Sequence, residues 1–478
     1  MSARQMNPAF GFRSRVLLLA LIAGVALPRE LSGQGPPHLT LRLDIEIAAG
    51  RLGVESCLTN LPVHHRPQFI LHRGLNVGIV RTAEGRLLRH TGYTNGRFIG
   101  EGVVYTVLDS VAPDDALCVL YVGAFPVYNV TRGTFSVFAD WKGAIAFNGR
   151  TVRATEQSKW YPILYDSTRG TRAYEAVTYE ATVRCPDCRV TYLNGDAPRP
   201  GREATFRSAR AVPLMLFAGD FAIIDSFANL TILNGTPYGV SRRGAGLLAA
   251  VVDSIRSYYA EWLDIPYGER IVFLQHLVTE DNQRRHWGFV TFPTIALSNR
   301  GFSAFVVDSA SFVSPLLWPY LAHEMGHYYF GTLVPGRGPY FWFVVESLAE
   351  YLSLRVVQRF HGDSVLRSHI APYVRHALVD STSVPFDRIT SADQLHSRYH
   401  GEFAPLMLLA LEELAGPEAM RRLLRAIVEQ PDREWDYAAL REAALANGTS
   451  PQTWRTFEET CVRPVFARGC LSRFGEGR

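Results

Sequence analysis

His323 and His327 stand four residues apart with Glu324 beside the first of them. On a helix, positions four apart share one face, so both imidazoles reach a common point. A fold for this chain must therefore supply a helix here and a second element that brings further ligands to it. The helix is predicted over 316–330, with Ser314 as its cap, Pro315 in its first turn and Gly331 at its end. Pro319 also suits a first turn, because a helix interior would lose a hydrogen bond there. A second helix is expected over 341–360, and Glu346 lies on it, 19 residues after His327. A connecting loop of about ten residues and an antiparallel course bring that carboxylate to the histidine pair.

Two imidazoles, a carboxylate and an open fourth position make a catalytic zinc arrangement. The expected cofactor is one zinc ion held by His323, His327 and Glu346, with Glu324 placed as general base. The alternative is a buried polar network with no metal, which would leave a carboxylate poorly paired beside two imidazoles. Glu350 follows Glu346 by four residues and faces the same way. It either accepts a hydrogen bond from a ligand histidine, fixing its tautomer, or is a solvated helix charge.

The 478 residues exceed what one core ordinarily holds. Residues 37–236 read as strand-rich: Leu39 to Ile47 alternate apolar and polar, Tyr179 to Val183 behave similarly, and turn residues recur at short intervals. Many short strands point to a β-sandwich. The character changes near Asn234 to Pro237. Residues 244–263 carry Leu247, Val251, Ile255, Tyr258, Tyr259 and Trp262 at helical spacing. A buried strand over 271–275 follows, then a strand over 289–297 that Pro293 would confine to a sheet edge. From 316 onward the pattern is mainly helical. The expected fold class is α+β and multidomain: an N-terminal β-sandwich over 37–236, a small mixed sheet with helices over 237–385, and a helical part over 386–478 that completes it.

The net charge of +4 is spread without a long basic run, which argues against nucleic acid as partner. Arg4, Arg13 and Arg15 precede an apolar stretch from Val16 to Leu27. A bilayer needs about 20 residues, so this reads as a secretory signal over 1–34, cleaved near Gly33 or Gln34, with an N-terminal membrane anchor as the alternative. No later run is apolar enough to span a membrane. Six cysteines behind an export signal suggest disulfides. Proximity favours Cys185–Cys188 and Cys461–Cys470, leaving Cys57 with Cys118. The Cys185-Pro-Asp-Cys188 run also allows a redox motif or half a zinc site.

The zinc motif, its spaced Glu346 and the run Tyr328-Tyr329-Phe330-Gly331-Thr332-Leu333-Val334 resemble the gluzincin metallopeptidases of the aminopeptidase N family. Glu346-Ser-Leu-Ala-Glu-Tyr351 is similar to that family's stretch around its third ligand. Weaker likenesses are Ser257 to Gly268, Trp160-Tyr161-Pro162 and Ala218-Gly219-Asp220-Phe221. The chain resembles a shortened member, without the large C-terminal helical domain of longer relatives. The resemblance implies a thermolysin-like catalytic domain, a peptide or protein substrate, and peptide-bond hydrolysis. It also implies an oxyanion-steadying role for Tyr399, otherwise a packing tyrosine. Two departures stand out. Val345 replaces the family's Asn before the ligand glutamate. Gly288-Phe289-Val290-Thr291-Phe292 stands where the family has Gly-x-Met-Glu-Asn, so Thr291 replaces the glutamate that holds a free amino group. Gly288 and Thr291 are thus the expected substrate-binding residues, on a strand that pairs with substrate backbone. The readings left open are an aminopeptidase, an endopeptidase indifferent to the amino terminus, and a zinc-loaded binding protein without activity.

Overall fold

The computed structural model describes residues 35–478 apart from 64, 93–97, 113, 129–141, 168–171, 236–238, 277–287, 299–305, 308–311, 314–316, 380–383, 464–467, 472–473 and 475–478. The expected signal over 1–34 and the expected Ser314 and Pro315 cap lie outside the described residues.

The alternation at the start of the chain forms the strand His38–Glu46, whose Leu39, Leu41, Leu43 and Ile45 face inward while the intervening residues face out. It pairs antiparallel with Arg51–Thr59 and parallel with Ala176–Arg184, inside a six-stranded sheet. The turn between the first two needs Gly50, at φ 64, because a Cβ there would stand 2.2 Å from the Phe125 carbonyl oxygen. A five-stranded and a second six-stranded sheet complete the N-terminal β region, around a core running from Leu39 to Ala218.

Phe221–Ile224 and Leu230–Gly235, grouped with the β region by their strand-like pattern, instead join the next sheet. Its order is Phe221–Ile224, Leu230–Gly235, Ile271–His276, Thr294–Ser298, Gly288–Thr291, with parallel pairing at its centre and antiparallel pairing at both edges. Period-two patterning reports that a segment is a strand, not which sheet it enters. The single strand expected over 289–297 is a hairpin: Pro293 sits in the turn, and Thr291 pairs with Thr294. Without an N–H, proline suits the turn better than the ladder. Gly288–Thr291 is therefore an edge strand in its own right. The turn is tied to the β region by a buried network, in which Asn194 donates to the Phe292 carbonyl and Thr294 donates to Asn194.

Helix α1, Arg242–Leu263, is capped by Ser241, whose Oγ accepts from the Gly244 N–H at 3.0 Å. It buries Leu248, Val252, Ile255 and Tyr259 against the sheet and the following helices, with Leu247 only half-buried. Helix α2, Leu317–Gly326, is shorter than the predicted 316–330 and ends in a turn that carries His327. Helix α3, Leu348–Val379, breaks at Gly362, where φ is 83, so its second half folds away from the first. Helix α4, Ala404–Ala415, and further helices over Pro417–Val428, Tyr437–Ala446 and Pro451–Phe457 follow. Their apolar faces and those of α1 to α3 share a core from Leu230 to Leu471.

The structure thus has the α+β architecture expected, with an N-terminal β region, a small mixed sheet with helices and a helical C-terminal part. Disulfides join Cys57 to Cys118, Cys185 to Cys188 and Cys461 to Cys470, the pairing that proximity favours. Among the described residues no helix is long and apolar enough to cross a membrane.

Candidate metal centre

Helix α2 is held in place by tyrosines. Tyr259 of α1 donates to the Ala322 carbonyl at 2.7 Å, and Tyr267 donates to that of Met325 at 3.2 Å. Opposite, Gly326 lies against α3, where a Cβ would stand 3.1 Å from Ala349 Cα. The missing side chain lets the two elements approach closely. A π-helical turn, Phe343–Ser347, precedes α3 and carries Glu346.

The outcome is a tight cluster. His323 Nε2 lies 3.4 Å from Glu346 Oε2, and His327 Nε2 lies 3.9 Å from the same oxygen. Ligands on a tetrahedral zinc ion with bonds of about 2.0–2.1 Å stand about 3.3 Å apart, so this donor set fits such an ion. The tautomers fit as well. His323 Nδ1 lies 2.7 Å from Glu350 Oε2, and His327 Nδ1 lies 3.1 Å from the Phe330 carbonyl oxygen. Acceptors at both Nδ1 atoms keep the protons there and free the Nε2 lone pairs for a cation. Glu350 is buried and also accepts from Tyr373 Oη at 2.9 Å. One other group has ligand-like spacing among the described residues, Cys185, Asp187 and Cys188, but its two sulfurs are bonded to each other.

Burial moves the charges of the cluster. It pushes the Glu324 carboxyl up to about 7, partly offset by the His323 charge. Burial and the His323 charge bring His327 down to about 4. For Glu346, burial would raise the carboxyl, but the hydrogen bond from His323 and the charges of both imidazoles hold it down to about 2. Burial would likewise depress His323, yet its contacts with Glu346 and Glu350 raise it well above the ordinary histidine range. Glu324 Oε2 is 4.0 Å from His327 Nε2, beside the cluster and outside the ligand triangle.

Tyr399 has its hydroxyl on the Val384 carbonyl at 3.0 Å, with its ring against Phe403 and Phe386. Its neighbour His400 stacks on Trp342 and is coupled electrostatically to Glu346, though burial chiefly sets its lowered pKa. The Nδ1 of His400 is buried without a hydrogen-bond partner. Thr291 is buried and donates to Glu156 Oε2 at 3.2 Å, while Gly288 is exposed at the start of the edge strand. The bareness of Gly288 makes room for Tyr320, whose hydroxyl would stand 2.7 Å from a Cβ there and has no hydrogen-bond partner. Sequence reasoning missed His400, Tyr320, Tyr373 and Glu156. Tyr320 alone had a local signal, since it lies one helical turn before Glu324.

No family model matches the chain, and no match is found among curated proteins. Solved structures do match. Leukotriene A4 hydrolase from Saccharomyces cerevisiae superposes with a TM-score of 0.65 at 13% identity, over 90% of this chain and 69% of that one. An M1 zinc metallopeptidase from Deinococcus radiodurans superposes with a TM-score of 0.57 at 17% identity, over 91% of this chain and 96% of that one. A variant of the latter, bound to a Tyr-Ser-Ala substrate, gives 0.57 at 18% identity, over 91% of this chain and 97% of that one. The chain therefore has the fold of the M1 zinc metallopeptidases.

Proposed function

We propose that this chain is an exported zinc peptidase, with His323, His327 and Glu346 holding one zinc ion and Glu324 as general base. The observation that carries the reading is the convergence of His323 Nε2, His327 Nε2 and Glu346 Oε2, with both Nδ1 atoms already engaged. When bound, zinc supplies Lewis acidity, polarising a carbonyl and making a water at its open position more acidic. Glu324 does the proton work: its carboxylate takes a proton from the attacking water and returns it to the leaving nitrogen. Glu350 and the Phe330 carbonyl keep the two imidazoles oriented throughout.

The oxyanion role that the family resemblance implies for Tyr399 would require its hydroxyl to leave Val384. His400, next to Tyr399 and with electrostatic reach to Glu346, is the alternative donor. Tyr399 then serves to hold the turn that carries His400. The edge strand Gly288–Thr291 suits a peptide added as a further strand. Three disulfides favour an oxidising compartment, in keeping with export. The likeness in fold to peptidases, one of them bound to a tripeptide, favours a peptide substrate. The test is metal analysis of exported protein together with a peptide-library digest read by mass spectrometry. Stoichiometric zinc and cleaved peptides are expected; a protein without bound metal would end this reading.

A further inference from the structure

We propose that this site takes peptides with no free amino group beside the scissile bond, and that Lys142 enforces the choice. The proposal rests on the peptidase reading and names its substrate class. Lys142 comes from the N-terminal β region, where its carbonyl accepts from Thr155 Oγ1 at 2.7 Å. Its ammonium lies 2.6 Å from Glu156 Oε1 and donates to the Val290 carbonyl at 3.1 Å, over the Phe289 ring. The second oxygen of Glu156 accepts from Thr291. This ion pair is largely buried, with side-chain exposures of 15% for Lys142 and 8% for Glu156, and it is fastened to the edge strand. The edge strand in turn borders helix α2, where a Cβ at Gly288 would stand 2.7 Å from the hydroxyl of Tyr320, one helical turn before Glu324, so the pair lies beside the same site.

A free amino terminus near the metal arrives as an ammonium and needs an unpaired carboxylate to replace its water. Among the described residues of this site, none is left. Glu346 belongs to the ligand set and Glu324 is the base. Glu350 is engaged by His323 and Tyr373, and Glu156 by Lys142 and Thr291. The ammonium would also meet the like charge of Lys142. An amide in the same place has no charge to desolvate. Lysine has three N–H donors; among the described residues two are used, leaving one for a carbonyl oxygen of a continuing or acylated chain. The favoured substrates are thus internal peptide bonds and N-acylated peptides.

The experiment uses zinc-loaded full-length protein and pairs of fluorogenic peptides, identical except for a free or acetylated amino group on the residue before the scissile bond. The acetylated member should be cleaved at least tenfold better in kcat/KM. Lys142→Gln removes the charge and frees Glu156, and should move the ratio at least tenfold toward the free amine. Lys142→Arg keeps the charge and should hold the ratio within threefold. If Lys142→Gln does not fold, as judged by thermal melting, Glu156→Gln replaces it and should sharpen discrimination against the amine. A tenfold preference of the parent for the free amine overturns the proposal, as does a ratio that the neutralising variants leave unmoved. Should zinc-loaded protein cleave neither peptide, the peptidase reading fails, and calorimetric titration with the same pair still decides this proposal. Tighter binding of the acetylated peptide upholds it, and equal or weaker binding sinks it.

Discussion

His323 Nδ1 and Glu350 Oε2 lie 2.7 Å apart, and the other oxygen of that carboxylate accepts from Tyr373 at 2.9 Å. The proposed ligand His323 is thereby held from behind by a carboxylate that is itself held. Removing such a partner typically weakens metal binding about 10- to 100-fold. Glu350→Gln should do so, and Tyr373→Phe should have a smaller effect in the same direction. Competition with a chromophoric chelator measures both; an unchanged zinc affinity in Glu350→Gln would show that the contact does not orient the ligand.

Glu324 stands beside the ligand triangle, 4.0 Å from His327 Nε2. Glu324→Gln should retain zinc while losing about 10²- to 10⁴-fold in kcat, the usual contribution of a positioned base. Metal analysis and turnover on one preparation give both readings. Full activity in this variant would remove Glu324 from the mechanism.

The same residue makes a prediction about pH. Burial raises its carboxyl from an ordinary 4.5 to about 7. The fold therefore favours the protonated form, a contribution complete below pH 4.5 and lost as pH rises through about 7. A difference of about 2.5 in pKa corresponds to about 3 kcal/mol of destabilisation once the group is ionised. With a chelator present, Glu324→Gln should be more stable than the parent at pH 8 by up to about that amount, and equal to it near pH 4. Glu346, held down to about 2, has the opposite sign: its contribution is present above pH 4.5 and fades as pH falls toward 2. Glu346→Gln should thus destabilise the metal-free protein at pH 8. Denaturant titrations at both pH values test the pair, and a pH-independent difference for Glu324→Gln would contradict the assignment.

Tyr399 and His400 separate cleanly by substitution. Tyr399→Phe removes the part-buried hydrogen bond to the Val384 carbonyl and should cost about 1 kcal/mol of stability with kcat within threefold of the parent. His400→Ala should lower kcat at least tenfold with zinc still bound. The reverse pattern would return the oxyanion role to Tyr399.

Some of this was legible in the sequence for a simple reason. Helical and strand periodicities are local, so His323, Glu324, His327, Glu346 and Glu350 could be set on facing elements, and the alternation from Leu39 to Ile45 could be oriented, without knowing the fold. The short disulfides follow from proximity along the chain. The hairpin at Pro293 was not legible, because a proline inside an apolar run reads equally as an interrupted edge strand or as a turn. Nor was the π-helical turn Tyr399–Phe403, which sets how Tyr399 and His400 are presented. One extra residue in a turn re-aims a side chain by about 100°, and no pattern marks the insertion.

The amino-acid sequence by itself determined that His323 and His327 share one face, because residues four apart lie about one helical turn from each other. Tertiary structure alone decided the charge environment around them. Lys142 and Glu156 reach the edge strand from 148 and 135 positions away, and pairings at such separation are made by sheet docking, which leaves no period in the chain.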